Sequence, residues 1–470
     1  MDIDLAEIAA PRPAEELVDE AAQLLAAACP TGWQHMRAAF SMAGGQQIAR
    51  GVATTAAGPV GVAVPARVVD LAQQHRGATI GVTGPWFRML IDLGASGELA
   101  VSFDYGDNPI PADELLPSEA YLRDLEQHPR PDVALWLLAY AGNEGQQRRS
   151  PAQARQSALA APRVADGLPV FDLLWSRMAA LAALCRGVDH PEGVRLDPAF
   201  AVFRSGQDGC TVAKLPGGRA VISGGRGDSA LLTAAYRGQT GWPDLYRGAP
   251  AWVYDLYLDP RAAAGLLSFC CWWDGHTWYS AERGTADERH GAVPAVWSIE
   301  STAEAVTGVL NTVGVALTDR NAYAAANFVR AADAGIVTEA TLRQLFVDGV
   351  PESFDMAAAL AQLDAADVLL PLCRRIPEDV AIRQVIDYCR SGAPGSAGYP
   401  LNRLAAVRLE AGWQVFAPVP PGEWATGRTV FLVADDGVVE PTTMAGGPTE
   451  VAMAFAARFA RRVRNRAERR

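Results

Sequence analysis

One stretch of the sequence, from Ser102 to Leu138, combines many carboxylates with aromatic side chains. Its acidic residues are Asp104, Asp107, Asp113, Glu114, Glu119, Asp124 and Glu126, and its aromatic residues include Tyr105, Tyr121 and Trp136. Two carboxylates can act as a general acid and base, but such work needs an apolar setting that raises one pKa, and the stretch offers none. Carboxylates interleaved with Tyr and Trp are typical of a protein interface. A solvated face over a packed hairpin is the structural alternative.

A second group of reactive residue types lies in CCWWDGHTWY, residues 270–279. Either Cys270 or Cys271 could act as a nucleophile, with His276 as its base and Asp274 as the orienting group. Neighbouring residues of a strand point to opposite faces, so at most one of the two thiols can face His276. Free cysteine is usually a small buried hydrophobe. A Cys–His hydrolase therefore stays open as an alternative, and no residue is predicted to be catalytic.

The sequence offers no motif for a metal or a cofactor. The histidines are His35, His75, His128, His190, His276 and His290, and no two of them have the spacing of a metal site. The glycine-rich LPGGRAVISGGRGD has neither a following Lys-Ser/Thr pair nor the G-x-G-x-x-G spacing. We interpret it as a β-hairpin with Pro-Gly-Gly at the turn.

The composition indicates a globular and acidic protein. Its 470 residues suggest three or four domains, at roughly 100–200 residues each. A net charge of −12 disfavours nucleic acid as a partner, and the arginine-rich end RFARRVRNRAERR is interpreted as a solvated helix end. There is no membrane-spanning run, the start of the chain lacks the basic region of a signal peptide, and the seven cysteines are dispersed. We therefore expect a cytoplasmic protein that does not bind membranes.

Two strands are expected to position the acidic stretch. WFRMLIDL and ELAVSFDY alternate apolar and polar residues, the pattern of half-buried strands, and GASG joins them. Matching the apolar faces pairs Leu93 with Leu99, Ile91 with Val101, Met89 with Phe103 and Phe87 with Tyr105. The same register sets Arg88 opposite Asp104, a cross-strand pair worth about 0.2–1 kcal/mol. Helices are expected over 14–29 and from Ser118 to His128.

Composition shifts divide the chain into further parts. We predict an α+β domain over 1–145, a linker over 146–166, a second α+β domain over 167–300, a helical segment over 301–375 and a small α+β domain over 376–470. The second domain is expected to contain AWVYDLYLDP as a strand and to be a degenerate relative of the first. Ser301 and Glu304 are expected to form a capping box at the start of the helical segment.

The first part of the chain resembles a family of bacterial immunity proteins. Within GPWFRMLIDLGASGELAVSFDYGDNPIPADELLPSEAYLRDLEQHPRPDVALWLL, an aromatic strand precedes the turn SFDYGDNP, followed by YLRDL, HPR and WLL. This order resembles the YezG-like immunity proteins. The immunity factor for the tuberculosis necrotizing toxin is similar to this family, and that toxin is an NAD-glycohydrolase. The match covers about residues 14–140. The residues that fit are Trp33, Trp86, Phe103, Asp104, Tyr105, Pro109, Tyr121, Asp124, Leu125, Pro129, Arg130 and Trp136.

The end of the chain resembles another family of small domains. GWQVFAPVPPGEWATGRTVFLVADDGVVEP and the helix after it are similar to immunity and chaperone-like domains of the YrhB type, over about residues 400–465. The two resemblances imply an α+β fold and a protein toxin as the partner.

We therefore expect a multidomain α+β protein with short antiparallel sheets flanked by helices. The resemblance implies a non-enzymatic immunity protein that occludes a secreted toxin, such as an NAD-glycohydrolase of a polymorphic or type VII secretion system. The candidate partner-binding residues are Asp104, Tyr105, Asp107, Asp113, Trp272, Trp273 and Asp274. A chaperone that binds a client without inhibiting it is the second alternative, beside the Cys–His hydrolase.

Overall fold

A computed structural model of the chain describes residues 12–281, 286–315, 318–371, 375–393, 395–396, 398–419, 428–443 and 447–467. The fold is α+β, with helices beside three antiparallel sheets. The described residues form two compact units. Unit 1 comprises residues up to 149 with 226–244 and 260–268, and unit 2 comprises 150–225, 245–259 and 269 onward.

The elements up to residue 196 are α1 (Ala14–Ala28), β1 (Trp33–Ala43), β2 (Gln46–Thr55), β3 (Gly58–Val62), α2 (Ala66–Ala78), β4 (Arg88–Gly94), β5 (Leu99–Asp104), α3 (Ser118–Gln127), α4 (Leu135–Gly142), α5 (Pro151–Ser157), β6 (Arg163–Val164), α6 (Phe171–Gly187) and β7 (Gly193–Leu196). Next come β8 (Phe200–Ser205), β9 (Asp208–Leu215), β10 (Arg219–Gly225), α7 (Ala230–Tyr236), a 3-10 helix (Asp255–Tyr257), α8 (Arg261–Ala264), β11 (Phe269–Trp273), β12 (Trp278–Ser280) and α9 (Ala286–Ala292). The last are α10 (Ile299–Asn311), α11 (Asp319–Ala334), α12 (Glu339–Arg343), α13 (Met356–Ala365), α14 (Glu378–Arg390), β13 (Ala405–Leu409), β14 (Gly412–Phe416), β15 (Thr429–Ala434), β16 (Val439–Thr443) and α15 (Pro448–Ala467).

Unit 1 is built on a five-stranded sheet in the order β3–β2–β1–β4–β5. Its alternating apolar residues, such as Met36, Phe40 and Ile91, form one core with α1 and α2, so these helices cover one face. A second core joins Phe87 to α3 and α4 through Tyr121 and Leu137. The predicted β4–β5 register is confirmed from Arg88–Asp104 to Leu93–Leu99. The sequence did not predict β1, β2, β3 or α2.

Unit 2 contains a seven-stranded sheet in the order β6–β12–β11–β10–β9–β8–β7. The helix α6 is apolar on nearly all sides and is buried against one face of this sheet by α10, α11 and α13. The predicted hairpin is confirmed as β9 and β10, which turn at Pro216–Gly218. The residues on the other face are also buried, as Val221 and Trp272 show.

The C-terminal part of unit 2 is a four-stranded sheet, β13–β14–β15–β16, between two helices. Phe431 and Val433 of β15 pack on α14, whereas Leu432 packs on the side of α15 through Phe455 and Phe459. This part therefore shares the large core of unit 2.

Several sequence-based expectations differ from the structure. AWVYDLYLDP is not a strand: it contains the 3-10 helix Asp255–Tyr257, and β10 pairs directly with β11. The capping box of α10 joins Ser298 to Ser301 instead of Ser301 to Glu304. Residues 226–244 and 260–268, expected in the second domain, belong to unit 1, and unit 2 also includes the helical segment and the C-terminal sheet.

The arginine-rich end of the chain is partly used for packing and is not simply a solvated helix end. Arg458 pairs with Glu440 at 2.7 Å, and Arg462 pairs with Asp436 at 3.0 Å. Arg464 donates to the carbonyls of Gly335 and Leu369, and burial lowers its pKa. Residues 468–470 and the expected acidic start of the chain, 1–11, lie outside the described residues. Among the residues that the structure describes, no helix has the length and apolarity needed to cross a membrane.

Candidate functional site

The candidate site lies on the face of the unit 1 sheet that α1 and α2 do not cover. Strand alternation places Arg37, Arg88 and Asp92 on this face, because their neighbours Met36, Met89 and Ile91 lie in the helix-side core. Arg37 Nε lies 2.7 Å from Asp92 Oδ1, so the centre of the face carries an ion pair whose arginine is mostly exposed. We call this surface the open face.

The loop after β5 adds two more carboxylates to the open face. Asp113 accepts a 3.2 Å hydrogen bond from Arg50 of β2, and both side chains are exposed. Glu114 forms a close ion pair with Arg88. Two arginines are therefore held by acidic residues that follow β5 by about ten positions in the chain.

Asp104 is not neutralised by the arginine that lies opposite it in the sheet. The register sets Arg88 across from Asp104 as predicted, but Arg88 Nε donates to Glu114. Asp104 Oδ1 instead accepts a 2.8 Å hydrogen bond from the Gly106 N–H and so shapes the turn after β5. Among the described residues neither Asp104 nor Asp107 forms an ion pair, and Asp107 is exposed.

These two carboxylates line a cleft of about 250 Å³ at the end of β5. Its lining residues are Arg88, Leu90, Ser102, Phe103, Asp104, Asp107 and Asn108. Because Glu114 balances the charge of Arg88, Asp104 and Asp107 make the cleft acidic. Such a cleft suits the guanidinium or ammonium group of a basic side chain. We call it the acidic cleft.

A buried network positions the Asp104–Gly106 turn. The Nη1 of Arg130 donates to the Tyr105 carbonyl at 2.9 Å, and the indole nitrogen of Trp136 donates to the Gly106 carbonyl at 2.8 Å. The Arg130 guanidinium also lies 3.9 Å from the centroid of the Phe87 ring. Burial lowers the pKa of Arg130, although the nearby Asp124 opposes the shift.

The carboxylate of Asp124 is the counter-charge within this network. Asp124 is 1% exposed, and its Oδ2 accepts from Arg76 Nη2 at 2.6 Å and from the Gly44 N–H at 3.0 Å. Its Oδ1 lies 3.5 Å from Arg130 Nη2. The charged residues of this stretch therefore have two different roles. Asp124 and Arg130 stabilise the scaffold, whereas Asp104 and Asp107 face the cleft.

The helix side of β5 is apolar at the same end. Phe103 stacks on His75, with ring centroids 5.0 Å apart and planes 7° apart. Trp86 Nε1 donates to His75 Nδ1 at 3.2 Å, and burial lowers the pKa of His75. The imidazole is therefore neutral near pH 7, and the surface around Phe103 stays uncharged. Tyr105 is half-buried against the same core, so its ring offers little area to a partner.

In unit 2 the structure separates the candidates Trp272, Trp273 and Asp274. Trp272 is 1% exposed and Trp273 is 9% exposed, because both faces of β11 are covered. The expectation that these two tryptophans anchor a partner is therefore corrected: their side chains belong to the core. Asp274 is exposed, and its Oδ1 accepts from the N–H groups of Thr277 and His276. These hydrogen bonds lower the pKa of Asp274 and fix the β11–β12 turn.

The geometry around the cysteines gives the hydrolase alternative no support. Cys271 is fully buried, and its Sγ lies 3.6 Å from Arg289 Nη1. Burial raises the pKa of the Cys271 thiol more than Arg289 lowers it. His276 lies in the exposed turn after β11, and Cys270 faces the other side of the sheet, also buried. No cluster of three His, Cys, Asp or Glu side chains suited to a metal occurs in the described ranges.

Sequence reasoning missed parts of the site and a larger cavity. Ser102 follows from the β4–β5 register, but Arg50 lies on β2, which the sequence did not predict. In unit 2 a cavity of about 430 Å³ is lined by residues of α11, α12, β13 and α15, with Ile336, Leu409 and Met453 among its apolar walls. Its Arg408 is paired with Asp435, and its Glu410 is exposed and accepts a hydrogen bond from the Thr338 hydroxyl.

No protein-family model matches the chain, and no curated protein matches it significantly.

Proposed function

We propose that this protein is a cytoplasmic immunity protein that binds a secreted toxin through the open face and acidic cleft of unit 1 and so occludes the toxin's active site. The observation that carries the proposal is the pair of carboxylates in the cleft, Asp104 and Asp107, which lack an ion-pair partner among the described residues. The protein itself needs no catalytic group for this function.

Charge supports this function. The protein has a net charge of −12, and the acidic cleft lies beside exposed Arg–carboxylate pairs that offer both donors and acceptors. Complementary charge accelerates encounter and fixes the register of a complex, while like charge rejects other partners. A basic toxin is therefore the favoured partner.

The scaffold also suits an inhibitor. The turn that carries the two carboxylates is held by Arg130 and Trp136 through main-chain hydrogen bonds. A surface that is rigid before binding loses little conformational entropy in the complex. A standard interface covers about 800 Å² per partner, so the toxin would also contact the exposed pairs Arg37–Asp92 and Arg50–Asp113 beside the cleft.

The resemblance of the first part of the chain to YezG-like immunity proteins supports an NAD-glycohydrolase as the toxin. The direct test is therefore NAD hydrolysis by the toxin encoded beside this gene, measured with increasing amounts of the purified protein. We expect turnover to fall to background at one equivalent, together with a one-to-one complex in solution.

Two charge-reversal variants, one in the acidic cleft and one outside it, test the site. Asp107→Arg should weaken inhibition by about 30-fold, the effect of roughly 2 kcal/mol when a charge pair is broken in a desolvated cleft. Asp19→Arg is the matched control, because Asp19 is also exposed but lies on α1, on the covered side of the sheet. Equal loss in both variants would contradict the assignment of the acidic cleft.

The remaining outcomes separate the alternatives. A tight complex in which the toxin keeps its turnover would favour a chaperone that binds its client without inhibition. If the toxin neither binds nor loses activity, the immunity proposal fails for that pair of proteins.

A further inference from the structure

Strand β5 is an edge of the unit 1 sheet, and no main chain among the described residues forms a hydrogen bond with its outer side. The Gly94 N–H donates to the Glu98 carbonyl at 2.8 Å, at the turn between β4 and β5. This hydrogen bond determines which residues of β5 direct their main-chain groups to β4. The N–H and C=O groups of Ala100, Ser102 and Asp104 therefore point to β4, and the Asp104 carbonyl accepts from the Phe87 N–H. Those of Leu99, Val101 and Phe103 point away from the sheet.

Two other edge strands, β3 and β7, are protected against pairing. The opposite edge of the same sheet, β3, contains Pro59, which has no N–H to donate. In unit 2 the side chain of Gln362 bonds both the N–H and the carbonyl of Leu196 on the edge strand β7. Strand β5 spans Leu99–Asp104 without a proline, so it lacks a device that proteins use to block strand addition.

The two sides of β5 differ in chemistry. On the helix side, Leu99 is 38% exposed and Phe103 is 37% exposed, so both have apolar surface left to bury. On the open face, Ser102 and Asp104 lead into the acidic cleft with Asp107. A strand laid along β5 would meet apolar residues on one side and carboxylates on the other.

We infer that β5 takes up an extended segment of the toxin as an added antiparallel strand, in which apolar residues alternate with Arg or Lys. The apolar residues pack beside Leu99 and Phe103, and one basic side chain enters the acidic cleft. Antiparallel addition continues the pattern of the sheet, and main-chain hydrogen bonds supply affinity while alternate side chains supply specificity. This inference rests on the proposed toxin-binding function and specifies how the partner is held.

The alternation predicts which amides of the added strand matter. In an antiparallel pair, residues directly opposite one another share a face, and every second pair exchanges both main-chain hydrogen bonds. Because the main-chain groups of Val101 point outward, Val101 would form such a hydrogen-bonded pair with the added strand. The residue opposite Val101 is therefore apolar, and its N–H points to β5. The N–H groups of the basic residues point away.

The test uses a fluorescently labelled, end-blocked synthetic peptide in which Val and Arg alternate, titrated with the full-length protein without any toxin. We expect saturable binding that weakens about tenfold in Val101→Pro, which loses the outward N–H. Val101→Ala is the matched control, since it shortens the same side chain and keeps the N–H.

A second arm leaves the protein unchanged. Methylation of the Val amides of the peptide should abolish binding, whereas methylation of its Arg amides should leave binding intact. The same peptide with Glu in place of Arg should bind at least tenfold more weakly because of the acidic cleft.

The inference is overturned if the wild-type protein does not bind the Val–Arg peptide, if both methylated peptides bind equally, or if the Glu peptide binds as well as the Arg peptide. It is also overturned if a folded Val101→Pro variant binds like Val101→Ala. Because the toxin is absent from these titrations, failure of strand addition is distinguished from failure of inhibition in the NAD assay.

Discussion

The guanidinium of Arg76 lies 2.6 Å from the carboxylate of Asp124, and this buried contact joins α2 to α3. Arg76 also donates to the Trp86 carbonyl, just before β4. Arg130 approaches the other oxygen of the same carboxylate and holds the turn after β5. One buried acid therefore stabilises the segments on both sides of the strands that carry the candidate site.

Loss of the Asp124 charge should destabilise unit 1. In Asp124→Asn the two guanidinium groups of Arg76 and Arg130 would stay buried without their counter-charge, which costs about 3–5 kcal/mol. Calorimetric unfolding should show the transition of unit 1 at a much lower temperature. Asp107→Asn is the control, since Asp107 is exposed and its replacement should change stability by less than about 0.5 kcal/mol. Similar unfolding of the two variants would contradict the role of Asp124.

A close approach at Gly106 should also affect stability. Its φ is +97°, and an added Cβ would lie 3.0 Å from Leu137 Cδ2 and 3.1 Å from Phe87 Cδ2. Gly106→Ala should therefore cost about 2–4 kcal/mol, from backbone strain and overpacking together. Gly97 has a similar φ of +93° with no atom within 4 Å of the added Cβ, so Gly97→Ala measures the strain alone. Denaturant unfolding of the two variants should differ by the packing contribution, and equal losses would argue against the close contact.

Alkaline pH should destabilise unit 1 through a buried tyrosine. Burial raises the pKa of the Tyr121 hydroxyl to about 12 from its usual 10.0, despite a hydrogen bond from the Leu116 N–H. The unfolded chain therefore loses this proton first, so stability falls as pH rises from about 10 to about 12.

The measurement is denaturant unfolding across this pH range, with tyrosinate absorbance as a second signal. Burial also raises the pKa of Tyr236 in unit 1 to about 12, so Tyr121→Phe should make the pH dependence shallower without removing it. An unchanged slope in Tyr121→Phe would contradict the raised pKa of Tyr121.

The thiol of Cys271 should be unreactive in the folded protein. Burial raises the pKa of the thiols of Cys29, Cys271 and Cys389, but only Cys29 and Cys389 are partly exposed and open to a reagent. A thiol reagent should therefore modify Cys29 and Cys389 in the native protein and reach Cys271 only on unfolding, as followed by peptide mass mapping. Rapid native modification of Cys271 would contradict its burial and restore the hydrolase alternative.

Local patterns predicted the elements whose apolar residues recur regularly. The β4–β5 register followed from alternation alone, since a slip by one residue would turn Met89 and Ile91 to solvent. The hairpin of β9 and β10 followed from its turn residues, and Gly335 ends α11 in the left-handed conformation expected of a C-terminal cap. Strand β1 also alternates, with Met36, Phe40 and Met42 in the core, but small apolar residues such as Ala39 and Ala43 lie at the alternate positions and weaken the pattern. The sequence analysis therefore did not reveal the centre of the sheet.

The sequence by itself determined the acidic character of the chain, the pairing of β4 with β5 and the position of Asp104 opposite Arg88. These depend on composition and on neighbours a few residues apart. Only the tertiary structure decided that Arg88 pairs with Glu114, that Asp124 is buried while Asp107 is exposed, and that Trp272 lies in a core. The physical reason is that burial and ion pairing depend on which distant segments of the chain cover a side chain. A strand that is covered on both faces has no alternation of apolar and polar residues, so its sequence does not show which side chains are buried.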